Sequence, residues 1–324
     1  MITHPANLQK TRGAALMAVL WLIAILSLAC MATLRVISFD MEIATAKIHG
    51  SSARQLAEMG IAVGSNNSVK PSDPLLHHAN EETGEGYDVK IVSEAGRFNI
   101  NSLVRNDKPL LLNIFVGWGL EPDVAGKVVD ALSDWADPDD DESLNGAEKK
   151  YYESEGRINQ PFNRPFYDIN EVSLVRGMDL VEALRPDWRD WFTVWGNAPA
   201  GQGSADTGLD LREAPAELIA AAAEVPVEQA ELIPQRVRGA DNVLNTEDDD
   251  LNLNEEAARS LIGVQEDPNN RFTFSNPNNP ASAGTTRIES IGFTEGAKYK
   301  ITVIVQNRSA NPIKLLERTE EIIP

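Results

Sequence analysis

Apolar and polar positions change their rhythm repeatedly along this chain. Residues 14–34, AALMAVLWLIAILSLACMATL, are mostly apolar on every side and carry no charge. At about 1.5 Å per residue such a run predicts a helix roughly 30 Å long, the thickness of a bilayer's hydrocarbon core. The pattern then turns amphipathic. Val36, Ile37, Met41, Ala44, Ile48, Leu56, Met59 and Val63 return at helical steps and extend the helix to about residue 65. Gly50-Ser51-Ser52 is where it would bend. Tyr87–Asn101 alternates as a strand, turns at Glu94-Ala95-Gly96 and resumes as a second strand. Val124, Val128, Leu132 and Trp135 mark one face of a later helix. The segment TRIESIGFTEGAKYKITVIVQNR predicts two strands around a turn near Glu295-Gly296. A long helix, strands, a stretch of helix and loop, then strands again describe an α+β chain.

Two segments of the middle stretch share an outline. FNINSLV…LLNIFVGWGLEPDVAGKVVDAL and LDLREAP…LIAAAAEVPVEQAELIPQRV both read as extended apolar residues, helix, short Gly or Pro turn and helix. This resembles helix-hairpin-helix units, which in DNA-binding proteins hold phosphate. Charge decides against that use. The chain has 29 basic and 49 acidic residues, net −20, and a surface so acidic repels nucleic acid. The paired outline is scaffolding.

Charge also orients the ends. Lys10, Arg12 and Arg35 are the charged residues of the first thirty-five, without an acid among them. A short basic leader ahead of an apolar run stays cytoplasmic, so the acidic bulk is expected beyond the inner membrane. Enzyme chemistry finds little purchase. His4, His49, His77, His78 and Cys30 form no zinc-ligand cluster, and no phosphate-binding glycine loop or HExxH motif occurs. His77 and His78 sit in a polar stretch that reads as a solvated loop. Asp206-Thr207-Gly208 spells the aspartic-protease tripeptide without its apolar lead or a second copy, and reads as a turn. A cleaved secretory signal or a lipoprotein acylated at Cys30 competes with a retained helix, which the amphipathic continuation favours. The alternative from another class is a membrane-anchored or lipoprotein envelope hydrolase using paired carboxylates, and no pair stands out for it.

One loop carries pointed chemistry. In DPDDDESLNGAE, Asp137, Asp139 and Asp141 stand at positions 1, 3 and 5, Asn145 at 9, Glu148 at 12, and Leu144 at the apolar position 8. That is EF-hand ligand spacing, suited to a hard dication wanting six to eight oxygens. Glu142 replaces the glycine of position 6 and Gly146 falls at position 10, so the loop path must differ. The plainer alternative is a solvated acidic loop. A second run, Asp241–Asp250, offers Asp241, Glu247, Asp248, Asp249 and Asp250 at poorer spacing and reads first as an exposed loop between helices.

Arg12-Gly13 followed at once by the apolar run resembles the type IV pilin and pseudopilin signal. Most members of that superfamily carry a glutamate five residues into the mature chain, where this sequence has Ala18. Lack of that glutamate is a trait of the general secretion pathway protein K family, the large minor pseudopilins of type II secretion. Further segments resemble the same family. GRFNIN is similar to its Gly-Arg/Lys-hydrophobic-Asn-Leu-Asn stretch, and NRPFYDINEVSLVRGM to its Pro-Phe…Glu-Leu…Val-Arg-Gly-Met segment. FTVWG followed by LDLREAPAELIAAA matches a later one, more loosely, because Leu209-Asp210-Leu211-Arg212 stands where Ile-Asn-Leu-Asn is usual.

The resemblance implies a pilin-like fold, a long N-terminal helix with an antiparallel sheet, split by a large inserted, mainly helical domain. The corresponding layout is a leader at 1–13, a transmembrane segment at 14–34 and an amphipathic helix at 35–65. The first part of the sheet then falls at 66–101, the insertion at 102–268, and the last strands and tail at 269–324. It implies prepilin peptidase cleavage between Gly13 and Ala14. It implies a non-enzymatic subunit capping the tip of the periplasmic pseudopilus, with the I and J minor pseudopilins and the major pseudopilin as partners. Calcium in a comparable Asp-rich stretch of the family points to Asp137, Asp139, Asp141 and Glu148 as ligands, with Asp168 closing the shell.

Overall fold

The computed structural model describes residues 10–196, 208–244, 246–267, 270–275, 284–308, 310 and 312–323; Asp206 and Thr207 of the expected turn lie outside them. Helix α1 (Lys10–Ser65) is continuous and stays helical through Gly50-Ser51-Ser52. From Ala15 to Ile48 every side chain on it is exposed. Packing begins at Ala53 and follows Ala53, Ala57, Gly60, Ile61 and Gly64. The closest contact therefore uses small residues; of the expected stripe, Leu56 and Val63 pack against the sheet's core, Val36, Ile37, Met41, Ala44 and Ile48 do not, and Met59 stays 53% exposed. The reason is steric. A Cβ added at Gly292 of the sheet would overlap the Ala53 carbonyl, and one at Gly60 would overlap Ser290 and Val89. Helix and sheet backbones touch there, so only small residues fit at the closest approach, and Leu56, Ile61 and Val63 pack beside it.

Beyond α1 the chain forms β1 (His77–Ala79) and β2 (Gly86–Ser93), which pair antiparallel. His77 and His78 thus lie on a short strand at the sheet's edge, not in a loop; His77 Nδ1 stands 2.6 Å from Asp88 Oδ1 across the pair. A single turn over Glu94–Gly96 then leads away from the sheet. The next extended piece, β3 (Phe98–Asn99), lies outside this sheet, although the first part of the sheet was expected to run to residue 101. Buried Glu94 accepts from Arg287 Nε at 2.5 Å and pins the exit, while Phe98 and Ile100 enter a different core.

The inserted unit contains α2 (Ile100–Asn106), α3 (Lys108–Gly117), α4 (Pro122–Ala136), α5 (Lys149–Ser154), α6 (Ile169–Val172) and α7 (Met178–Leu184). It continues through β4 (Phe192–Thr193), β5 (Leu209–Asp210), α8 (Ala216–Ala223), α9 (Val227–Ala230), α10 (Leu232–Val237), α11 (Glu255–Leu261) and β6 (Phe272–Thr273). β3 pairs parallel with β4, and β5 with β6. The two similar sequence outlines follow β3 and β5 but turn from strand to helix differently. Asn99 caps α2 by accepting from Ser102 N, whereas Asp210 accepts from Arg212 N in a turn that precedes α8, which starts after Pro215 without a side-chain cap. Trp135, Trp188, Phe115, Phe166 and Phe192 fill the unit's core, each side chain contributing about 1.5–3 kcal/mol by burial.

The chain re-enters the sheet as β7 (Thr285–Thr294), β8 (Ala297–Gln306) and β9 (Lys314–Ile323), giving the all-antiparallel order β1-β2-β7-β8-β9. A second, smaller core of Ala57, Leu76, Val89, Ile288, Ile301 and Val303 lies between this sheet and α1. Strand β9 is a full strand where the sequence pattern left only a tail. It is an edge with few buried positions on either face, so it has no alternation to read. Arg308 closes the α1 end by donating to the carbonyls of Gly64, Asn66 and Val69 at 2.7, 2.5 and 2.6 Å.

Candidate functional site

The exposed length of α1 is the first functional element. Among the described residues it is the helix long and apolar enough to cross a membrane. Gly13 and Ala14 lie in its first turns, and Ala18 sits on its exposed surface. Two of its hydroxyls are satisfied within the helix: Thr33 Oγ1 donates to Ala29 O and Ser38 Oγ to Leu34 O, both at 2.9 Å. The rod thus shows a lipid surroundings neither a charge between Ala14 and Leu34 nor an unpaired donor from these groups.

The second element is the loop joining α4 to α5. Its centre is Asp134, a residue the spacing argument did not select. Asp134 is fully buried and accepts from Ser143 N at 3.2 Å and from Ala147 N at 2.9 Å, folding the loop back on its own helix. Gly146 explains itself here: a Cβ would overlap the Asp134 carboxylate, so glycine is needed at position 10 and not at position 6. Asp139 Oδ1 accepts from Asp141 N at 3.0 Å, and Asn163 Nδ2 bonds Asp139 O and Asp140 Oδ1 at 2.7 and 2.8 Å. Glu148 Oε2 caps α5 through Lys149 N.

Several oxygens in this region lack donors. Asp137 Oδ1, Glu148 Oε1 and Asn163 Oδ1 are buried without a hydrogen-bond partner. Burial, then neighbouring Asp134, pushes Glu148 up to about 7; burial, then Asp139 and Asp134, pushes Asp137 up to about 6. A donor set of carboxylate and amide oxygens held at mutual expense fits a hard dication such as calcium. Among the described residues no three His, Cys, Asp or Glu side chains converge on one point, so a cation would have to draw Asp139 and Asp141 inward. Asp168 is placed elsewhere. It caps α6 by accepting from Asn170 N at 2.8 Å and lies in the field of Glu317.

The second acidic run is built differently. Asp248 Oδ2 accepts from Ala240 N and Asp241 N, and Thr246 Oγ1 donates to its other oxygen, which holds its carboxyl below the ordinary range. Asp249 pairs with Arg212 at 2.6 Å, both side chains 1% exposed, and Asp250 pairs with Arg236 at 2.7 Å. Asp241 Oδ1 accepts from Val243 N. These carboxylates tie a loop together.

The family model for type II secretion system protein K, first domain, matches residues 96–187, the part of the insertion that contains the acidic loop. Type II secretion system protein K of Pseudomonas aeruginosa is 26% identical over 247 residues, covering 68% of this chain and 71% of that protein. The fold is similar to the crystal structure of the GspK-GspI-GspJ complex of the enterotoxigenic Escherichia coli type 2 secretion system. That likeness has a TM-score of 0.53 at 14% identity, over 88% of this chain and 99% of the other. With the bare apolar rod, the split sheet and the helical insertion, these findings make the chain similar to type II secretion system protein K, a structural component of secretion.

Proposed function

We propose that this chain is the minor pseudopilin that caps the tip of the periplasmic pseudopilus and helps start its assembly for export of folded proteins across the outer membrane. The observation that carries the reading is the start of α1, an exposed apolar rod without a carboxylate up to Leu34, on a helix that runs unbroken into a bulky two-part head. In a bundle of such rods, an intramembrane carboxylate costs a few kcal/mol unless a neighbour ahead compensates it. Ala18 suits a subunit with no neighbour ahead, and the inserted unit obstructs addition above it. The prepilin peptidase would cut between Gly13 and Ala14, leaving the rod in the inner membrane with its start cytoplasmic and the head periplasmic. The I and J minor pseudopilins would pack beside it, as the GspK-GspI-GspJ complex suggests by its fold, with the major pseudopilin below.

Calcium belongs to the same proposal. Asp137 and Glu148 would supply the buried oxygens, with Asp139 and Asp141 closing from the loop and Asn163 adding an amide oxygen. The ion would neutralise carboxylates that burden one another and order the 137–148 segment of the head. Asp168 and the acids of the second run are left in their structural roles.

The test is genetic and chemical. The mature N-terminus should be Ala14 by mass spectrometry. Ala18→Glu should reduce secretion at least severalfold or move the subunit from the tip into the filament body. Normal secretion with tip location retained would sink the capping account.

A further inference from the structure

A cavity of about 290 Å3 opens between α2, the start of α3 and the end of α4, lined by Asn101, Val104, Arg105, Lys108, Asp137 and Pro165 among others. In a chain of net charge −20 its lining is unusual, because two cations share it. Arg105 lies in the last turn of α2 and Lys108 opens α3. Among the described residues neither makes a hydrogen bond or an ion pair. The acid between them is committed elsewhere: Asp107 binds Arg271 at 2.7 Å and caps α3 through Leu110 N. Lys108 and Asp137 feel one another across the space but do not close into a pair. The frame around them is fixed. Asn101 donates to Phe166 O at 3.0 Å and Val194 O at 3.3 Å and accepts from Phe166 N at 2.8 Å, tying α2 to the segments on either side.

We propose that this cavity receives a carboxylate carried by a partner polypeptide. A guanidinium beside an ammonium matches a planar monoanion, with Arg able to bond both oxygens. Asp137 on the opposite wall disfavours a dianion such as phosphate. The apolar faces of Val104 and Pro165 suit the methylene stem of an acidic side chain, and the volume lies at the small end of ligand pockets. The choice of a polypeptide rests on the proposed role in a protein-secreting assembly.

Fluorescence anisotropy on the full-length protein in detergent micelles tests this, using a dye-labelled Ala-Glu-Ala-Glu-Ala peptide and its Gln counterpart in chelator. The Glu peptide should bind saturably, and the Gln peptide at least tenfold more weakly. Arg105→Gln with Lys108→Gln should weaken the Glu peptide at least tenfold, as should Ala136→Leu, which fills the cavity with the cations intact. Lys127→Gln should change nothing. Melting curves establish that each variant is folded, and the single Lys108→Gln variant carries the test if the double one is not. Absence of saturable binding, or equal binding to the variants, overturns the proposal. So does displacement by inorganic phosphate at lower concentration than by acetate, which would mark a general anion site. A chain that binds the peptide but does not cap a pseudopilus would sink the functional reading and leave the cavity standing.

Discussion

Two acidic loops of similar composition, 137–148 and 241–250, have opposite internal economies. In the second, arginines and backbone amides answer the acids: Arg212 for Asp249, Arg236 for Asp250, and the Ala240 and Asp241 amides for Asp248. In the first, Asp134 takes the amides of Ser143 and Ala147, and Asp137 and Glu148 each keep one buried oxygen without a donor. The lesson is that acidity alone does not make a cation site. The first loop leaves acid uncompensated by the protein's own groups, the condition a bound cation would relieve.

The comparison breaks most sharply at Arg212. Arg212→Ala removes one partner of a fully buried pair and should cost about 3–5 kcal/mol in chemical denaturation, with no recovery on adding calcium. The first loop should behave in reverse. Calcium at a hundredfold excess over its dissociation constant should stabilise the protein by about 2.7 kcal/mol, and Asp137→Asn with Glu148→Gln should abolish the gain. Identical melting curves in calcium and in chelator would remove the distinction between the loops.

A smaller effect sharpens it through pH. Glu148 is raised from 4.5 to about 7, so between those values the folded, metal-free protein holds a proton the unfolded chain has lost. That contribution is present below pH 4.5 and is lost as pH rises through about 7. Glu148→Gln in chelator should therefore gain about 1–2 kcal/mol over the parent at pH 8 and nothing at pH 4. Asp248 has the opposite sign: its lowered value gives stability above the ordinary aspartate range that disappears on acidification. A flat difference profile between parent and Glu148→Gln would refute the uncompensated-acid reading.

Legibility differed along the molecule for physical reasons. The β7–β8 hairpin could be read because one buried face imposes alternation, and its turn falls at Glu295-Gly296 as expected. Strand β9 could not, because its exposed edge imposes none. The spacing of Asp137, Asp139, Asp141 and Glu148 stood out in the sequence, whereas Asp134 and Asn163 did not. Asp134 looks like one more polar residue of α4, and Asn163 reaches the loop only because the chain folds back. An available signal was Gly146 at the wrong position for an EF-hand.

By itself the sequence determined the rod, since a charge-free apolar run of that length has one comfortable solvent, and it determined the α+β order through its changes of period. Tertiary structure alone decided which face of α1 meets the sheet, because close backbone approach selects small side chains that no apolar stripe announces. It also decided which acids are answered, because a carboxylate's partners come from segments distant in the chain, and their number depends on where those segments lie when the two cores are packed.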